Sequence, residues 1–315
     1  MQRTVSDVIV EALVDQGVRH VFGVVGDALN SFTDAIRRVD GIDWIGVRHE
    51  EVGAFAAGAQ AQLTGSLAVC AGTVGPGAIH TLNGLYDAAK SHAPVLAIVG
   101  QVPLTELGSD YFQEVDNDFL FRDVAVYTHT ITSAVQVPRV VEHAIELALA
   151  RRGVAVLTLP GDVGSAAVNT DVSATNIANP RPVAAADADV VDQVARLLAS
   201  HKKITILAGL GARRARSELI ELADRLQAPI VATLKAKEFL DWDNPFDVGQ
   251  SGLIGNPAAA DALLDAELLL MIGTDFPYRD YYPTSATVIQ IDAYADHIGR
   301  RTPVNLAVVG DAAAT

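Results

Sequence analysis

The stretch whose residue types could do chemistry is Arg48-His49-Glu50-Glu51, followed at once by Val52-Gly53-Ala54-Phe55-Ala56-Ala57-Gly58-Ala59. An acidic pair sits where a short apolar strand, Ile42 to Val47, meets a helix of small residues. Small residues let a ligand or another backbone come close. A carboxylate lodged there is shielded from water, which raises its pKa and lets it share a proton with a nitrogen heterocycle. The plainer reading is that Glu50 and Glu51 favour the positive end of a helix.

Further candidates stand at strand ends. Gly72-Thr73-Val74-Gly75-Pro76-Gly77-Ala78 follows the strand Leu67–Ala71. Glycines between a strand and a helix bring N–H groups near a ligand, or serve only a tight turn. His80 and Asn83 lie three apart on the next helix and share a face, and a lone histidine there is more often structural than catalytic. Gly209-Leu210-Gly211 has two glycines of a dinucleotide pattern without the third. Arg213, Arg214 and Arg216 beside it could face phosphates or solvent. Gly273-Thr274-Asp275-Phe276-Pro277-Tyr278 suits an aromatic ring with a polar tail. Ser251-Gly252-Leu253-Ile254-Gly255 occupies a comparable position. Asp292, just after a strand, could accept from ribose-type hydroxyls or cap the next short helix. No zinc pattern, nucleophile elbow or P-loop occurs.

The elements that must position these residues follow one rhythm. Continuous apolar runs at Val21–Val25, Trp44–Val47, Leu67–Cys70, Val95–Val99 and Val154–Thr158 alternate with helical patterns such as Ser6–Asp15 and Pro138–Arg151. Leu29, Phe32, Ile36 and Val39 give one buried helical stripe. Continuous rather than alternating apolar runs predict a parallel sheet covered on both faces. The rhythm breaks after Pro160, and residues 165–186, rich in Ala, Asn, Ser, Thr and Pro, read as a surface linker. A second series then begins: helix Asp187–Ser200, strand Ile204–Ala208, helix Ser217–Leu226, and strands at Pro229–Ala232, Leu268–Ile272, Thr287–Ile291 and Asn305–Val309. The expectation is an α/β protein of two doubly wound parallel-sheet domains, 1–164 and 187–315, joined by that linker.

Composition narrows the function classes. The 315 residues are 50% hydrophobic and 19% charged, enough for two packed cores. A net charge of −15 argues against a nucleic-acid partner. The single cysteine, Cys70, sits inside an apolar strand, which suits a buried residue and a reducing cytoplasm. No signal peptide or membrane-spanning run is evident.

At this point the motifs resemble a known family. Arg48-His49-Glu50-Glu51, Gly72–Gly77, Tyr111-Phe112-Gln113-Glu114 and Leu159-Pro160-Gly161-Asp162-Val163 look like the pyrimidine-binding domain of thiamine diphosphate enzymes. Ser251–Gly255, Gly273–Pro283 and Gln290-Ile291-Asp292 are similar to the FAD-binding central domain of the pyruvate oxidase branch, nearest the bacterial pyruvate:ubiquinone dehydrogenases. The resemblance covers essentially the whole chain. It implies that Glu50 hydrogen-bonds the aminopyrimidine and favours its imino tautomer, which takes the proton from the thiazolium, while the cofactor acts as electron sink. It implies that Thr73, Gly75, Gly77, His80 and Asn83 stand near that ring, and that Phe112 and Gln113 line the active site. Gly209, Gly211, Ser251, Gly252, Leu253, Ile254, Thr274, Asp275, Phe276, Pro277, Tyr278 and Asp292 would contact FAD. The implied reaction decarboxylates pyruvate to acetate and passes electrons to FAD and then to quinone or oxygen.

One departure qualifies this. The family's third domain binds diphosphate and Mg²⁺ through Gly-Asp-Gly and a later Asn-Asn. Gly26-Asp27-Ala28, Gly161-Asp162-Val163 and Gly310-Asp311-Ala312 lack the third glycine, and no Asn-Asn occurs. The expectation is therefore the N-terminal and central part of such an enzyme, inactive alone, whether a truncated product or half of a split enzyme. The membrane-docking tail of quinone-linked relatives, which associate peripherally with the inner membrane, has no match here, so membrane contact is not carried over. A homodimer or homotetramer is implied, since the family's thiamine site lies between subunits. The rivals are an acetolactate synthase-like carboligase with structural FAD, and a non-catalytic flavin-binding or assembly module.

Overall fold

In a computed structural model, which describes residues 2–168, 177 and 183–315, the chain divides into two compact units, Met1–Arg181 and Pro182–Thr315. Each is built on a six-stranded sheet. The first holds β1 (His20–Gly23), β2 (Asp43–Gly46), β3 (Ala68–Gly72), β4 (Val95–Gln101), β5 (Ala125–Thr130) and β6 (Val154–Pro160), in the spatial order β2-β1-β3-β4-β6-β5. The second holds β7 (Ile204–Ala208), β8 (Ile230–Ala232), β9 (Asp247–Gln250), β10 (Leu268–Ile272), β11 (Thr287–Asp292) and β12 (Leu306–Val309), in the order β12-β11-β10-β7-β8-β9. Every pairing between these strands is parallel. The doubly wound α/β expectation holds for both halves.

Burial explains which strands could be read. All residues of β3, β4, β6, β7, β8 and β10 are buried, so their sequences are mainly apolar, with Gln101, Thr158 and Thr205 as buried polar exceptions. The sequence reading misses β5 and β9. Both are half-buried edge strands, Ala-Val-Tyr-Thr-His-Thr and Asp-Val-Gly-Gln, with no continuous apolar run. β2 is likewise an edge, mostly exposed rather than covered on both faces. β1 ends at Gly23, short of the expected Val25, which is exposed.

The first core gathers Ile9, Leu13, Phe32, Ile145 and Leu157 on one face of the sheet, and a second cluster gathers Ala54, Cys70, Leu85, Val99 and Phe121. Burial pushes the Cys70 thiol up to about 12, which makes it an inert hydrophobe. Thr4 opens the first helix, Val5–Asp15, with a reciprocal capping box to Asp7. Much of the expected linker lies outside the described residues, but its ends are anchored. Val5 N–H donates to Ala166 O at 3.0 Å and Val168 N–H to Arg3 O at 2.9 Å, and Val168 and Ile177 are buried in the first core. Asp311 N–H donates to Ala184 O at 2.8 Å, which ties the other end to the second unit. Those described parts are therefore tied down by backbone hydrogen bonds while Ser165, Ala167 and residues 183–185 stay exposed.

The small residues of the helix Glu50–Thr64 are used inside the domain. Gly53, Ala54, Ala57, Gly58 and Ala61 are buried. A side-chain carbon added at Gly53 would lie 3.1 Å from the Phe22 carbonyl of β1. One added at Gly84, on the helix Leu82–Lys90, would lie 2.6 Å from Ala54 Cβ and 2.7 Å from Phe55 N. These helices therefore touch at backbone distance. Val52, Phe55 and Leu63, not the small residues, form the exposed apolar side. Gly84→Ala forces this contact apart and is expected to destabilise the first unit by about 1–3 kcal/mol, the usual range for overpacking, in urea unfolding.

Candidate functional site

Chain order reverses between β1 and β3 in the first sheet and between β7 and β10 in the second. At such a switch point the loops beyond the strand ends diverge and leave a crevice. The loop residues 72–77 stand at the first and Gly209, Gly211, Gly273 and Thr274 at the second, whereas Ser251 follows the edge strand β9 and Asp292 ends β11. Thr73, after β3, packs flush against Gly26, after β1, and its Oγ1 is buried without a partner. Gly75 takes φ 64° and ψ −116°, a conformation that only glycine adopts readily, and starts the short helix Pro76–His80. The proline at the first helical position suits that start.

The helix Glu50–Thr64 begins where these loops meet. His49 caps it, its Nδ1 accepting from Glu51 N–H at 3.2 Å. Glu50 is 8% exposed although it is a carboxylic acid in a first helical turn. Its Oε2 meets His80 Nδ1 at 3.0 Å. Its Oε1 faces Gly77, where an added carbon would stand 3.2 Å away. His80 in turn stacks on His49, ring centroids 4.4 Å apart and planes 29° apart. Asn83 hydrogen-bonds Glu51. The helical pair His80 and Asn83 thus grips both acids of the Arg-His-Glu-Glu segment. His49, Glu50 and His80 each place one possible ligand atom within 4.8 Å of the others. Within the trio, His49 Nδ1 already accepts the Glu51 amide and His80 Nδ1 faces Glu50, so both of these ring nitrogens are engaged inside the segment.

Phe112 and Gln113 come from the segment after β4. Phe112 is 80% exposed. Gln113 has φ 69° and lies against Gly75: a carbon added at Gly75 would be 2.8 Å from Gln113 Cβ. Gly75 is therefore glycine for two reasons, its torsion and this close approach.

In the second sheet, the loops after β7 and β10 touch. Gly209 N–H donates to Ile272 O and Gly211 N–H to Gly273 O, both at 3.0 Å. A carbon added at Gly211 would meet Gly273 Cα at 2.8 Å. These amides are spent on the neighbouring loop. Arg213 pairs with Glu238, and Arg216 lies over the Trp242 ring at 4.0 Å while bonding the Phe239 carbonyl; Arg214 is exposed. Thr274 is buried and accepts from Phe276 N–H at 3.1 Å. Phe276 is buried among Tyr278, Tyr281 and Tyr282, so it is a core ring, whereas Tyr278 is partly open. Asp275 is held by Arg300 and Arg301. Ser251 is buried with Oγ unpartnered, next to Gly252 at φ 117°, and Leu253 and Ile254 are exposed at 73% and 70%. Such an orphaned hydroxyl beside exposed apolar side chains is what a bound group would cover.

Asp292, at the end of β11, is 5% exposed and accepts from Tyr294 N–H at 2.9 Å, an Asx turn rather than a helix cap. His297 Nδ1 stands 3.6 Å away. Burial raises the Asp292 pKa, opposed by the Tyr294 amide and His297 and reinforced by Asp275. The sequence reading quotes His49 and Glu114 within motifs without giving either a role, and does not find His297. The placement of His49 and His297 depends on tertiary packing, with no local pattern to signal it.

The fold defines the class: two α/β domains, each on a six-stranded parallel sheet with one switch point. The sequence matches the family model described as thiamine pyrophosphate enzyme, N-terminal TPP binding domain, over residues 3–120, and the one described as thiamine pyrophosphate enzyme, central domain, over 191–315. An uncharacterized 42.6 kDa protein of Pseudomonas amyloderamosa is 47% identical over 312 residues, covering 99% of this chain and 79% of its own. A pyruvate oxidase of Lactiplantibacillus plantarum is 35% identical over 314 residues, 98% of this chain and 52% of its own. An acetolactate synthase of Arthrospira platensis is 31% identical over 320 residues, 96% of this chain and 55% of its own. The chain belongs to the thiamine pyrophosphate enzymes and spans about half the length of those two relatives. No helix among the described residues is long and apolar enough to cross a membrane.

Because the folded-state pKa of Asp292 is raised, its stabilising share is complete below the unfolded value and is lost as pH rises through the folded one. Asp292→Asn is expected to be more stable than the parent near pH 7, with the gap closing towards about pH 4, the ordinary aspartate range. Thermal melts of the cofactor-free protein across that range check the sign.

Proposed function

We propose that the chain forms the aminopyrimidine half of a thiamine diphosphate site and an FAD-binding domain, in an enzyme that converts pyruvate to acetate and CO₂. The observation that carries the first part is Glu50: a buried carboxylate with Oε2 on His80 and Oε1 against a glycine cradle. A planar heterocycle with a hydrogen-bonding edge fits that open side, and the unpartnered Thr73 hydroxyl lies in the same loop. Glu50 would hold a proton on the ring nitrogen, Gly75 and Gly77 would let the loop lie close to it, and Phe112 and Gln113 would face the substrate. His80 and Asn83 would keep the two acids in place. When bound, thiamine diphosphate supplies the electron sink for decarboxylation of a 2-oxo acid. Its Mg²⁺ and diphosphate would be held by polypeptide of the kind that makes up the rest of the longer relatives.

The FAD part is supported by the orphaned Ser251 hydroxyl, the exposed Leu253 and Ile254, and the buried Asp292 at the end of β11, the strand beside β10. Thr274, Asp275, Pro277 and Tyr278 would border it, with Phe276 supporting them from the core and Gly209 and Gly211 shaping the loop. The electron acceptor would be quinone or oxygen. Domain limits of 1–164 and 187–315 and a homodimer or homotetramer belong to the same proposal, the exposed Val52, Phe55 and Leu63 being the side offered to a second copy. The acetolactate synthase relative supports a second reading, a carboligase in which FAD is structural.

Two measurements test this. With a diphosphate-binding polypeptide of the family added, the protein should decarboxylate pyruvate, and Glu50→Gln should lower the rate by about 10²–10⁴-fold, the usual weight of a positioned acid–base group. Equal rates would remove Glu50 from the chemistry. In the same mixture, pyruvate should bleach the visible flavin band. A band that stays while acetolactate accumulates would establish the carboligase reading instead.

A further inference from the structure

The segment after β4 has the geometry of a held loop rather than a free one. Its root is fixed by Asp162, from the Leu-Pro-Gly-Asp motif, whose carboxylate accepts from Leu104 N–H at 3.1 Å and Val163 N–H at 2.9 Å. Its far end is fixed by Gln101 Nε2, which donates to Val115 O at 2.6 Å, and by Asn117 Nδ2, which donates to Gly100 O at 3.1 Å. Between them, Asp110 and Gln113 are both non-glycine residues at positive φ, 60° and 69°. Such torsions persist only where surrounding bonds enforce them. The enforcing group is Glu114. One carboxylate oxygen accepts from Gly108 N–H at 2.6 Å and the other from Tyr111 N–H at 3.1 Å, and the Glu114 N–H itself donates to Tyr111 O at 2.8 Å.

We propose that Glu114 is a positioning residue: its carboxylate closes the 108–114 turn and thereby sets Gln113 against Gly75 and presents Phe112 to solvent beside the Glu50 crevice. Glu114 touches neither Glu50 nor the glycine cradle, and acts only through its two neighbours. The inference rests on the reading of Phe112 and Gln113 as substrate-facing. The backbone amides of Gly108 and Tyr111 hold the Glu114 carboxyl below the usual carboxylate range. A lowered folded-state pKa means that the clasp is in place above the ordinary carboxylate pKa and opens only as pH falls through the lower folded value.

Hydrogen exchange of the full chain tests the clasp without any cofactor. In Glu114→Ala the amides of Gly108 and Tyr111 should exchange at least about tenfold faster than in the parent, while those of β3 and β4 stay unchanged, as for a local opening. Glu114→Gln, which keeps one accepting oxygen, should restore part of that protection. The parent should lose its protection at low pH, and the Gln variant should show no such step. Equal protection in parent and Ala variant overturns the proposal. In the complemented enzyme, Glu114→Ala should raise KM for pyruvate or lower kcat, with thiamine diphosphate affinity unchanged. A clasp present in exchange but without effect on either kinetic constant confines Glu114 to folding, which also overturns its positioning role. Absence of turnover in the parent as well removes the pyruvate reading and leaves the exchange result to judge the clasp.

Discussion

A carboxylate kept from water at the first turn of a helix is the constraint around which the first domain is arranged. Burial of an unpaired charge is costly, so Glu50 needs a partner, and His80 supplies it at 3.0 Å. His80 reaches it because the loop Gly72–Gly77 turns back sharply into a helix, with Gly75 in a torsion that other residues resist. His49 then braces the His80 ring from the other side. Helix Leu82–Lys90 can stand that close only because Gly84 meets Ala54 without a side chain between them. Each glycine and alanine in this region is explained by the need to bring one acid, one imidazole and three backbones together.

The second domain solves a related problem with different groups. Its switch point is closed by backbone alone, as Gly209 and Gly211 donate to the loop after β10. The polar atoms left over are Ser251 Oγ and the buried Asp292, the latter partly compensated by an amide and His297. In one domain the acid is matched by an imidazole hydrogen bond. In the other, burial leaves the acid with a raised proton affinity, which the Tyr294 amide and His297 offset only in part.

How much of this could be read from the amino acids follows from burial. Strands such as β8 and β10 are apolar from end to end because both faces are covered, and they are legible at once. Strands β5 and β9 are edges, and Tyr127, Thr128, His129 and Thr130 carry no period that separates them from a loop. The burial of Glu50 follows the small Gly and Ala residues beside it, whereas its suggested role comes from the family resemblance and not from those residues alone. The stacking of His49 on His80 joins residues thirty-one positions apart and leaves no local trace. The Arg213 and Arg216 side chains looked equally suited to phosphate or solvent, and the fold uses them for Glu238 and for the carbonyls around Trp242.

Precision and reach are divided between different parts of the first domain. Glu50, Thr73 and Gly77 sit on or beside strand and helix ends whose torsions are fixed by the sheet, so their mutual distances can be held within a narrow range. Phe112 and Gln113 lie on a loop, where reach into solvent comes at the expense of order. The loop recovers order through four side-chain clasps, Asp162, Glu114, Gln101 and Asn117, each binding backbone groups rather than side chains. Backbone clasps leave the outward side chains free. A segment fastened in this way can therefore present Phe112 and Gln113 in a defined direction without drawing on their side chains.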